Sequence, residues 1–140
     1  MELILFYTEE ELETLLTRFE SAAIPRPEWL HREHLAVATL FLLGGRTLDD
    51  IRTGIQRLNE ANGVETTPMM GYHESITRFW AHMIQHRLNS APTLSRLQAV
   101  NDVLTAFADK GFIFQYYTYD RITSVEARYG WVTPDLQPLP

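Results

Sequence analysis

Cysteine is missing from the sequence, which excludes disulfide staples, a thiolate zinc site and a cysteine nucleophile, and suits a reducing, cytoplasmic setting. Long apolar runs are missing too. The longest, Leu35 to Leu43, is interrupted only by Thr39 and falls far short of the roughly 20 residues a bilayer span needs, so no membrane partner is expected. Basic charge is scarce: 12 Lys and Arg stand against 18 Asp and Glu, a net charge of −6. Such a surface repels phosphate backbones, and no Lys/Arg cluster accompanies the aromatics, which argues against nucleic acid. The stretch from Met1 to Tyr7 has neither the basic start nor the length of a secretory leader, and it runs into Glu9, Glu10 and Glu11. Gly-rich phosphate loops, a nucleophile elbow, a dinucleotide fingerprint and internal repeats are all absent.

What is present is a core. With 140 residues, 45% of them hydrophobic, the chain suits one domain, 1–140, able to bury its apolar surface unaided. The expected class is all-α, an up-and-down bundle of about five helices. Thr8 and Glu11 form a capping box for a first helix to about Ala22, with Leu12, Leu15, Leu16 and Phe19 on one face. After Pro25 and Pro27 a second helix runs from about Glu28 to Leu43 and stops at Gly44-Gly45. Thr47 and Asp50 start a third that ends at Asn62 before Gly63. A fourth spans about Tyr72 to Leu88, and a fifth begins at a Thr93 cap and reaches about Lys110-Gly111. The remainder is aromatic, then proline-rich: a short helix near Ser124 to Arg128 and an extended strap, 131–140, against the bundle.

Helical periodicity sorts the polar residues by face. His31 and His34 fall inside the apolar arc of the second helix and, three apart, share a side. His73 flanks the apolar face of the fourth helix, with Thr77 a turn along, while Asn59 and Asn62 lie on the core side of the third. Antiparallel packing would bring the start of the second helix, the end of the third and the start of the fourth to one end of the bundle, with Tyr116 and Tyr117 as walls. Three neutral imidazoles, His31, His34 and His73, are a competent ligand set for a divalent metal such as zinc or iron. Asn59, Asn62, Thr77 and Tyr116 would then contact a small-molecule ligand, and Glu33 or Glu74 would carry protons in a metal-dependent hydrolase or oxygenase.

Familiar metal signatures fail in detail. His31-Arg32-Glu33-His34 is one residue short of the zinc-protease pattern, Glu28 and His31 lack a second Glu-x-x-His, and the cysteines of a deaminase site are missing. A histidine on an apolar helix face is more often a hydrogen-bonded core residue than a ligand, so a second expectation stands beside the first. It is a non-catalytic small-ligand or protein-binding module whose inward histidines are structural. Asn62 before Gly63 reads equally well as helix C-terminal chemistry, and Trp29, Trp80 and Trp131 as core or strap anchors. Oligomeric state leaves no mark on the sequence.

Three segments carry a resemblance: Trp29-Leu30-His31-Arg32-Glu33-His34-Leu35, Gly71-Tyr72-His73-Glu74-Ser75-Ile76-Thr77-Arg78, and Trp131 to Leu139. Together they resemble a family of small uncharacterised bacterial helical proteins over nearly the whole chain. The resemblance implies a single-domain, bacterial, cytoplasmic protein and carries over no catalytic residue.

Overall fold

A computed structural model describes residues 3–140; Met1 and Glu2, the first residues of the run tested for a leader, lie outside it. The described residues form an all-α fold: α1 (Glu9–Glu20), α2 (His31–Leu43), α3 (Leu48–Ala61), α4 (Glu74–Ser90), α5 (Arg96–Ala106), α6 (Tyr119–Ile122) and α7 (Val125–Tyr129), with 3-10 turns at Arg26–Glu28 and Lys110–Gln115. None of these helices is long and apolar enough to cross a membrane.

Helix starts follow local chemistry. Thr8 with Glu11, Thr47 with Asp50 and Ser95 with Gln98 all form reciprocal capping boxes, which moves the start of α5 two residues beyond the expected Thr93. The second helix is shorter than periodicity suggests. Pro25 and Pro27 confine the preceding residues to a 3-10 turn, and Leu30 takes an extended conformation, so α2 opens at His31. The fourth helix opens at Glu74, because His73 is its N-cap and Tyr72 lies outside.

The centre of the fold is α2, packed against α5, α4, α1 and α3. Leu35 to Phe41 are all buried in it, Thr39 included, whose hydroxyl donates to Leu35 O at 2.7 Å. One apolar cluster joins these residues to Leu12, Phe19, Leu58, Phe79, Ile84, Val100, Val103 and Tyr117. Close approach of α1 and α3 depends on Gly54: a Cβ there would lie 2.4 Å from Phe19 Cε2.

Two tethers hold the segments outside the helices. At the N-terminal side, the Asn101 side chain clamps the extended segment, accepting from Phe6 N–H at 2.9 Å and donating to Phe6 O at 2.8 Å. At the C-terminal side the strap lies on the bundle as expected. Leu136 N–H donates to Tyr116 O at 3.0 Å, Tyr117 Oη donates to Val132 O at 2.6 Å, and Trp131, Val132 and Leu139 pack on the core.

Candidate functional site

The expected cluster rests on three imidazoles, and each has its own partner. His31 donates from Nε2 to Phe107 O at 2.8 Å, the end of α5, and sits edge-on against Trp80 at 5.2 Å. His34 turns the other way: its ring stacks on Trp29 at 4.0 Å, and Nδ1 donates to Leu30 O at 2.8 Å. His73 is buried and uses both nitrogens. Ile76 N–H donates to Nδ1 at 3.1 Å, capping α4, so the proton belongs on Nε2, which donates to Ile122 O at 2.7 Å.

These contacts explain why the rings do not meet. Trp80, the neighbour of His31, lies about two helical turns along α4 from His73, roughly 10 Å on the axis. Among the described residues no group of three or more His, Asp or Glu side chains is arranged to hold a metal ion. The ligand set that zinc or iron would need at His31, His34 and His73 is therefore not assembled. Burial, the largest influence on each, pushes all three rings toward the neutral form: the pKa of His34 falls to about 4, and those of His31 and His73 fall below the ordinary 6.5.

The segment Gly71 to Thr77 resolves into a junction. Gly71 has φ +91°, and a Cβ there would lie 2.6 Å from Glu65 O, so the turn into α4 requires glycine. Glu74 receives a forked pair from Arg52 of α3, Nε to Oε1 at 2.7 Å and Nη2 to Oε2 at 2.6 Å, and Tyr72 Oη donates to Oε1 at 2.7 Å. The Arg52 guanidinium holds the Glu74 carboxyl below its ordinary range, and burial pushes the Tyr72 phenol up. Ser75 Oγ donates to Gly130 O at 2.7 Å and accepts Val132 N–H at 3.1 Å, Thr77 Oγ1 donates to His73 O at 2.8 Å, and Arg128 Nη1 donates to Gly71 O at 2.8 Å. Here α3, α4, α6, α7 and the strap are tied together. Glu74 and Thr77, expected as proton carrier and ligand contact, are components of this joint.

The other expected contacts are scattered. Asn62 ends α3 and donates from Nδ2 to Ile24 O at 2.9 Å, which joins helix-end chemistry to a tie across to the turn after α1. Asn59 lines a separate recess of about 400 Å³ with Gln56, Glu60 and Glu65. Tyr116 is packed among aromatics, 5.4 Å from Phe79 and 5.7 Å from Phe112.

Glu33 is different. It lines a groove of about 730 Å³ bounded by the extended segment at Phe6, by α1 from Glu10 to Arg18, and by the chain from Ile24 to Glu33. Its Oε2 receives Arg32 Nη1 at 2.7 Å, and the side chain is only 14% exposed. Its Oε1 is buried without a hydrogen-bond partner, as is the indole nitrogen of Trp29. A buried carboxylate oxygen left without a donor costs free energy, about 1–3 kcal/mol. Arg32 continues from Glu33 to Ile4 O at 2.7 Å and stacks over the Phe6 ring at 3.8 Å, so the groove wall depends on the tethered N-terminal segment. Phe6, Arg18, Leu30 and Arg32 carry no sequence signal that marks them as groove residues.

No family model, curated protein or solved structure matches the chain.

Proposed function

We propose that the protein is a non-catalytic binding module, acting in the cytoplasm, that holds a small organic ligand in the groove between the N-terminal segment, α1 and the start of α2. The inward histidines then serve architecture. The observation that carries this reading is Glu33 Oε1, a buried acceptor without a donor on a residue that lines a recess of about 730 Å³. The recess lies within the range of small-molecule sites, roughly 300–1,000 Å³. Its floor is apolar, with Phe6, Leu15 and Ile24 buried, and Leu30 is 58% exposed at its edge. That combination of buried apolar surface and charged walls suits an amphipathic ligand.

On the groove, the Thr8 hydroxyl and the Glu11 carboxylate are spent on the cap of α1. The polar groups with catalytic reach at the junction, His73, Glu74 and Tyr72, are all engaged with protein partners. The test is a ¹H–¹⁵N titration of the intact protein with neutral C6 probes such as 1-hexanol and cyclohexanol. Saturable shifts should gather on amides of Thr14, Leu15, Leu30 and Glu33, and Thr14→Trp, placing an indole in the groove from an exposed position of α1, should abolish them. Saturable shifts confined to residues 71–77, or none anywhere, would overturn the reading.

A further inference from the structure

We infer that the ligand of this groove is an aliphatic amine, a protonated ammonium on an apolar body, with its N–H donating to Glu33 Oε1. The inference rests on the groove being a binding site and adds the chemical class that the site selects.

The charged groups around the groove decide it. Glu10, Glu11, Glu28 and Glu33 face it against Arg18 and Arg32, an acidic balance on a chain already at −6. Both cations are committed: Arg18 Nη2 donates to Glu28 Oε1 at 3.1 Å, while Arg32 serves Glu33 and Ile4 O. An anionic ligand would meet occupied guanidiniums and surplus carboxylates. A neutral donor would satisfy Glu33 Oε1 and leave the acidic rim uncompensated. An ammonium supplies a donor to Oε1 and offsets the rim charge in the same place. Its hydrocarbon chain would lie along Leu15, Pro27 and Leu30, which line the recess beside the carboxylate. Reaching Oε1 requires a small outward shift of the neighbouring side chains, and Leu30, at 58% exposure, is the group free to give way.

The experiment compares three probes of one length on the intact protein by ¹H–¹⁵N titration: hexylammonium, 1-hexanol and hexanoate. We expect hexylammonium to bind at least about fivefold tighter than hexanol and hexanoate to bind weakest, all shifting the amides of Leu15, Leu30 and Glu33. Glu33→Gln should bring hexylammonium to the level of hexanol, with the spectrum of the variant confirming that it is folded. Glu10→Gln, at an exposed rim position, should reduce the preference about twofold and guards against a Glu33 variant that fails to fold. Hexanol binding as tightly as hexylammonium, on the same amides, would overturn the amine assignment while leaving the groove as a site. Failure of all three to shift groove amides would overturn both.

Discussion

Two regions of this protein are rich in polar side chains, and they are built on opposite terms. At the joint formed by residues 71–77, the donors and acceptors of Tyr72, His73, Glu74, Ser75 and Thr77 are matched within the protein, on α3, at Ile122, at Gly130 and on the strap. Beside the groove, Glu33 keeps one oxygen buried and unmatched, with the Trp29 indole nitrogen in the same condition. A dense polar motif is thus not by itself a sign of chemistry. Satisfaction is the sharper criterion: a completed network specifies a fold, whereas an incomplete one at a recess leaves a bond for a ligand to make.

The contrast can be broken most forcefully by removing one acid or ring from each region. His73→Ala deletes the cap of α4, leaves Ile122 O without its donor and opens a hole in a buried position, so we expect a loss of about 3–4 kcal/mol in denaturant unfolding. Glu33→Gln keeps the volume and removes a buried charge with an unmet acceptor, so its stability should change by less than about 1 kcal/mol. Equal losses in the two variants would erase the distinction.

Acid should weaken the joint and its neighbours next. His31, His34 and His73 have pKa values depressed in the folded protein, so between those values and 6.5 the unfolded chain binds more protons. Stability is full above about pH 7 and falls as pH drops through 6.5; for His34, with a folded pKa of about 4, the loss is complete below that value and amounts to up to about 3 kcal/mol. Denaturation followed between pH 7 and 5 tests this, since the carboxylates held low by their partners respond only further down. His34→Phe should flatten the slope; an unchanged slope would contradict the assignment.

A smaller effect sharpens the account of the core on which both regions rest. Alanine at an interior helix position normally gains about 1 kcal/mol over glycine, yet Gly54→Ala should cost about 2 kcal/mol because its methyl would meet the Phe19 ring. Relaxed packing there would show as a gain in melting temperature instead.

Much of the fold is legible in the sequence because its signals are local. The capping boxes at Thr8 and Thr47, the glycines closing α2 and α3, and the Ser124 cap of α7 all act within four residues of where they are read. Periodicity also turns His31 and His34 away from open solvent, whereas His73, the N-cap of α4, is held inside by its bonds to Ile76 and Ile122. Their destinations are not legible: His31 finds a carbonyl 76 positions away and His73 one 49 positions away. Once each ring is captured by a backbone oxygen, a shared point no longer exists, although the rings stand near the helix ends where connectivity expects them. The groove is hidden for the same reason, since its wall depends on a clamp between Phe6 and Asn101, 95 positions apart. The sequence does mark Glu33 as a candidate, but as a partner of histidines rather than as the buried, unmatched acceptor beside a recess.

The proposal that the polar joint and the inward histidines serve architecture rather than a metal centre is tested most directly by the imidazole nitrogens themselves. In a long-range ¹H–¹⁵N spectrum near neutral pH, His73 should appear as a neutral ring with its proton on Nε2 and Nδ1 hydrogen-bonded, and stoichiometric zinc should leave it, His31 and His34 unmoved. Joint, saturable displacement of all three rings by zinc would contradict it.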